Sequence, residues 1–336
     1  MFRHSTLTAM AVAAAVLLAG FQAAPPPRPP VQLTPALAAL AEDAEAARSF
    51  DYMALKAEGA DLGSLSDAVY RRAVIADSDP RCLTEAEAEL QANLAAAMIA
   101  ADRAAFDDDR AAAAEAWAKW TLFVEGIEHG QVATEPPFKW VSDRYAQLES
   151  ETSPRSRELL RRTARDQLYR HAWSGGEQVW GELSPGANGR VMSRLMRATC
   201  LTDRDNTAWL KADVEANGWF TIPATGAEAS SAAWLMAQHA DRDRDFQRHV
   251  LALMEPLVAT GEVSRANYAY LWDRIAVSEK RPQRYGTQGR CTAPGKWEPD
   301  EIEDRTRVEA LREEARIGSL VEYEAHMQPH CANFTG

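Results

Sequence analysis

The sequence predicts a mainly α-helical chain, with a helical N-terminal segment followed by an α-helical C-terminal domain with irregular loops. Apolar residues recur at i, i+3, i+4 and i+7 in one segment after another, the spacing of a helix with one buried face. Ser, Thr and Asp stand where those segments begin, as helix caps do. Strand signals are scarce, since few β-branched runs alternate and no Asn-Gly turn joins two apolar runs.

Taken in order, the chain opens with Arg3 and His4 ahead of an apolar run, Leu7 to Gly20. That pattern has signal-peptide length and falls short of the about 20 apolar residues a spanning helix needs. Residues 1–23 are therefore read as a signal peptide cleaved near Ala23 or Ala24. The protein is expected to be periplasmic or secreted, with no membrane span after cleavage. Pro25 to Pro30 hold five prolines in six residues, which makes 24–33 a stiff linker. A net charge of −12 argues against partners that present phosphate backbones, so no nucleic acid is expected. An exported chain pairs its thiols, and Cys82, Cys200, Cys291 and Cys331 allow three connectivities. Cys291 and Cys331 bracket the last helical segment, so that pair is expected, leaving Cys82 with Cys200.

Residues 34–150 read as helices and little else. Thr84 and Glu87 form a capping box before a spine of Leu90, Leu94, Met98 and Ala101. A second helix carries Trp117, Trp120 and Val124. Asp107-Asp108-Asp109 reads as the stop between the two, which would make a helical hairpin. No fixed repeat period is present. The polar stretch Gln147 to Arg157, with Pro154, is the expected boundary before a domain over 155–325, and 326–336 form a tail.

Polar residues collect between Gly218 and Gln288. The segment Glu228 to Ala240 is apolar around its whole circumference, so it reads as a buried helix that carries Gln238 and His239 inward. Asp241 to Asp243 can cap the next helix, whose stripe is Phe246, Val250, Leu253, Met254 and Leu257. Gln247 falls inside that arc and His249 at its margin. A third helix from Ser264 buries Tyr268, Leu271, Trp272 and Ile275, with Asp273 just off the stripe and Arg274 on the other side. In the loop Arg281 to Gln288, Gly286 permits a tight turn that aims Tyr285, Thr287 and Gln288 back at the cluster. Convergence of His239, Asp273 and that loop is expected.

These strings carry a resemblance. GWFT at Gly218 to Thr221, AAWLMAQHAD at Ala232 to Asp241, Phe246-Gln247, YLWDR at Tyr270 to Arg274 and YGTQ at Tyr285 to Gln288 occur in that order. Together they resemble a bacterial family known only as a domain of unknown function. LLRRTARDQLYR, Leu159 to Arg170, is similar to its opening, and Ile302 to Tyr323 to its ending. Phe220 departs from the pattern, which more often has Pro there. The resemblance implies a family and no reaction.

Three functions fit the residues. The polar cluster is expected to bind a small polar ligand or an envelope component, with Trp219, Gln238, Gln247, Arg274, Tyr285, Thr287 and Gln288 as ligand-binding residues. Alternatively, a hydrolase uses His239 as general base, held by Asp241 or Asp273. In the third reading the N-terminal helices dock a protein partner as a scaffold. Neither a metal site nor a cofactor is expected: HExxH and CxxC are missing, and Pro329 interrupts the HMQPH string at His326 to His330. The ten tryptophans are assigned mostly to packing.

Overall fold

The computed structural model describes residues 32–72, 81–332 and 334. The expected signal peptide and most of the linker lie outside the described residues. Four short helices come first: α1 (Pro35–Leu40), α2 (Ala44–Ser49), α3 (Tyr52–Ala57) and α4 (Leu62–Arg71). Thr34, Asp43, Asp51 and Asp61 cap them in turn by accepting from backbone N–H groups of the first turn. All four lean on α5 (Glu85–Ile99), which begins with the anticipated Thr84–Glu87 capping box. Leu90 and Leu94 are wholly buried there, but Met98 is half exposed and Ala101 lies beyond the helix, so the buried spine is shorter than expected.

The expected stop at Asp107–Asp109 is not one. The break comes earlier, at Ala100, whose extended backbone ends α5, and Asp102 caps α6 (Arg103–Glu128). The helix runs through the acidic triplet because Phe106, Ala113, Ala116, Trp120, Val124 and Ile127 hold one buried face across it. Asp107 accepts from Arg110 and Asp109 from Ser184, so neither competes for the backbone. Nor do α5 and α6 form the expected hairpin: both pack along α10 (Pro185–Asn217).

Next come α7 (Phe138–Gln147), a 3-10 turn (Leu148–Ser150), α8 (Pro154–Gly175) and the short α9 (Glu177–Trp180). Helices on either side of the polar stretch 147–157 share one core, in which Trp120 and Phe138 meet Leu168, Trp180 and Leu195. The 33 residues of α10 thread the molecule. Met196 touches the N-terminal core, Val191 and Leu195 the middle one, and Leu210 and Val214 the C-terminal one. The disulfide Cys82–Cys200 fastens the N-terminal helices to this spine.

The C-terminal core joins Trp219 and Phe220 to α11 (Ile222–Gln238), α12 (Arg244–Thr260) and α13 (Arg265–Ser278). Asp243 and Ser264 cap α12 and α13 at the positions the sequence implies. In α11 the backbone breaks at Gly226, where φ is 84°. A hairpin that sequence patterning missed follows, with β1 (Gly289–Ala293) antiparallel to β2 (Lys296–Pro299). Then come α14 (Val308–Ala315), α15 (Leu320–Met327) and a 3-10 turn (Gln328–Cys331), stapled to β1 by Cys291–Cys331. Both expected cysteine pairs are formed, and the fold is mainly α. No helix among the described residues is long and apolar enough to cross a membrane.

Candidate functional site

The helix α8 presents Leu159, Thr163 and Asp166 on its buried side, since these positions repeat at helical spacing. Asp166 is thereby carried almost fully inside, at 3 % exposure. From α10, Asp203 reaches the same point, and His239 arrives as the residue that closes α11. Donor atoms of Asp166, Asp203 and His239 all lie within 4.8 Å of one another.

A buried carboxylate must be paired, and Arg170, one turn along α8, does this. Its Nε donates to Asp166 Oδ1 at 2.9 Å and its Nη2 to Asp203 Oδ1 at 2.6 Å. Gln167 Nε2 donates to Asp166 Oδ2 at 2.7 Å. His239 Nδ1 stands 3.0 Å from that same oxygen. The carboxylate lies off the ring N–H direction, so the two groups are in close contact without an aligned hydrogen bond. Nδ1 is fully buried, whereas the side chain keeps 13 % of its surface, so the exposed part of the ring is elsewhere. Thr163, Asn206 and Met236 complete a cleft that leaves no room for a water molecule.

Burial opposes ionisation of both acids, but the two respond in opposite directions. Against its burial, His239 and Arg170 hold the Asp166 carboxyl down at about 2. Burial pushes Asp203 up to about 7, and Asp166 repels its charge while Arg170 attracts it. His239 is lowered by burial and by Arg170 and Arg274, with Asp166 opposing, so the ring is neutral at pH 7. Opposed carboxyl pKa values in one site mark a candidate acid–base arrangement. The three side chains are also metal-ligand types. Arg170 already faces both carboxylates, so a cation there would have to displace its guanidinium.

The other residues named from the sequence fall into two groups. Gln247, wholly buried, donates from Nε2 to Ala237 O and Gln238 O at 3.2 Å each and to Asp241 Oδ1 at 3.3 Å. It thus serves Gln238 O and adds a second donor to Ala237 O, which also accepts from Ala240 N, holding the turn on which His239 sits. Arg274 Nε donates to Asp241 Oδ1 at 2.7 Å. Asp241 and Arg274 therefore brace the turn from its half-exposed side. Gln238 is buried in the same turn, and Trp219 packs in the C-terminal core.

Asp273 does meet the 285–288 loop. Its wholly buried carboxylate accepts from Arg284 N at 2.8 Å, Tyr285 N at 3.1 Å, and Thr287 N and Oγ1 at 2.9 Å each. Gly286 turns this loop at φ +69°, and a Cβ there would stand 2.9 Å from Leu320 Cδ1. From the other side Arg312, wholly buried, donates to Tyr285 O at 2.6 Å, and Gln288 N donates to Gln283 Oε1 at 2.9 Å. Asp273, Tyr285, Thr287 and Gln288 are thus engaged in a latch that holds the C-terminal helices. His239 is not bonded to Asp241 or Asp273; its carboxylate comes from α8. Asp166, Arg170 and Asp203 were missed as site residues, although Asp166 and Arg170 lie in the quoted LLRRTARDQLYR string. Asp166 falls on that helix's apolar stripe, which was the available signal.

A family model described as a family of unknown function, DUF6624, matches residues 156–329, more than half of the chain. No curated protein and no solved structure matches it.

Proposed function

We propose, for a chain that belongs to the DUF6624 family, that the matched region carries an acid–base centre for a small polar substrate. His239 accepts a proton at Nε2 from water or a substrate hydroxyl, and Asp166 stabilises the imidazolium that results. Asp203, which holds its proton up to about pH 7, is the donor to the leaving group. The observation that carries the reading is the Asp166 carboxylate 3.0 Å from Nδ1, close enough to orient the imidazole with Nε2 outward once the pair aligns. The reaction class is hydrolysis. Tightening of a misaligned pair when substrate binds is ordinary for such sites, and entry requires the cleft to widen.

One observation favours a second reading. The cleft holds no space for a hydrolytic water beside an entering group, which suits a centre that widens to bind a small polar ligand or envelope component without turning it over. A panel of p-nitrophenyl esters, phosphates and glycosides separates the two. The catalytic reading expects turnover of at least one substrate, reduced at least 100-fold in His239→Gln with an unchanged melting temperature. Turnover of none, or turnover indifferent to His239→Gln, overturns it.

The basic and apolar N-terminus and the two disulfides support a working place outside the cytoplasm. Mass spectrometry of the mature protein should then find a new N-terminus near Ala24. Full-length chain confined to the cytoplasm overturns the assignment.

A further inference from the structure

We propose a second site, independent of the His239 centre: a groove between α2, α5, α6 and α10 that binds a small organic oxyanion, a carboxylate or a phosphate ester. Arg190, Arg194 and Arg197 recur at helical spacing on one face of α10, and Arg48 joins them from α2. The groove has a volume of about 410 Å³, within the range of small-molecule sites.

The argument begins with Arg190. It is 5 % exposed, yet no acid among the described residues pairs with it. Nη1 donates to Asn93 Oδ1, and the guanidinium lies 4.5 Å from the Phe106 ring centroid. Nε and Nη2 are buried with no hydrogen-bond partner among the described residues. Burial, with the like charges of Arg110 and Arg194, pushes this group down to about 10, and Glu89 and Asp109 do not offset that. Arginine does not give up its proton in proteins, so the depression measures a positive charge without compensation. A buried charge and two stranded donors of this kind are costly unless something supplies an acceptor.

Nothing else in the groove supplies it. Glu89 stands 3.5 Å from both Arg48 Nε and Arg194 Nη2, and Glu85 pairs with Arg48, so the two acids are shared among other arginines. Arg197 donates Nε to Leu83 O at 3.1 Å and has no acid partner among the described residues. Four arginines against two glutamates leave a net charge of +2 in a chain whose net charge is −12. Planar guanidinium forks match carboxylate and phosphate oxygens. Trp117, Ala92 and Leu201 give the groove an apolar wall, which fits an anion carrying an organic part. The site also gives the N-terminal region a role, since Arg48 and α5 build it together with α10.

Calorimetric titration with inorganic phosphate, phenyl phosphate and benzoate, against chloride at matched ionic strength, tests the proposal. Expected is saturable binding, tighter for phenyl phosphate than for phosphate, and weakened at least tenfold in Arg190→Met. Without ligand, that variant should melt no lower than the wild type, because it removes an uncompensated charge. Should Arg190→Met fail to fold, the partly exposed Arg197→Gln carries the same expectation of weakened binding. No saturable binding by any of the three anions, or affinity unchanged in a folded variant, overturns the proposal. A preference for benzoate over phenyl phosphate identifies a carboxylate as the natural ligand class, and the reverse a phosphate ester.

Discussion

Replacing Asp273 by alanine removes an acceptor that four donors share: Arg284 N, Tyr285 N, Thr287 N and Thr287 Oγ1. A buried donor stranded in this way costs about 1–3 kcal/mol. Thr287 is 4 % exposed, so its two donors meet no water and count fully. Arg284 and Tyr285 lie nearer the surface, and water replaces part of what they lose. One effect runs the other way: burial raises the Asp273 carboxyl despite its backbone donors, so the native charge is itself held at a cost. Together these give a loss of roughly 3–5 kcal/mol, in the range of mutations that break a buried network. Thermal unfolding followed by circular dichroism at pH 7 measures it, with Asp273→Asn as comparison. Asparagine keeps one oxygen and presents an amide to the remaining donors, so about half the loss is expected. A loss below about 1 kcal/mol for alanine refutes the reasoning, since the loop amides would then be served by solvent.

Asp203→Asn tests the raised carboxyl. The folded state binds a proton that the unfolded state releases near the ordinary carboxyl value of 3.8, so this group's ionisation removes stability as pH rises toward about 7. The variant should therefore gain on the wild type between pH 5 and pH 8.5, by roughly 2–4 kcal/mol; a melting difference constant with pH refutes the assignment. Cys82→Ser with Cys200→Ser opens a connection spanning 118 residues and should cost about 4–5 kcal/mol in a non-reducing melt, and no change would mean the bridge constrains nothing. Gly286→Ala adds a Cβ at a positive φ and 2.9 Å from Leu320, so a loss of about 1–3 kcal/mol is expected by denaturant titration, and tolerance without loss would show the loop relaxes freely.

Much of this protein is local in origin and was legible one residue after another. The caps at Thr84, Asp243 and Ser264 depend on side chains three residues from the N–H they serve, and buried stripes such as Leu90 and Leu94 follow from periodicity. The inward course of Asp273 and its meeting with the 285–288 loop also follow, because an acid beside an apolar arc needs donors and Gly286 lets a nearby loop bring them. Where local signals competed, the stronger won only in three dimensions. The Asp107–Asp109 triplet reads as a cap, yet the buried face from Phe106 to Ile127 overrides it once α10 is there to pack against. The partner of His239 could not be read at all. Asp166 lies 73 residues earlier, on another helix, and which carboxylate meets an imidazole depends on how helices cross. Arg190 shows the same dependence: its position in sequence is ordinary, and only the closing of α5 and α6 over α10 buries its charge without a counterion among the described residues. Helices are set by contacts within a few residues, whereas a site is set by the crossing of helices, which no pattern along the chain records.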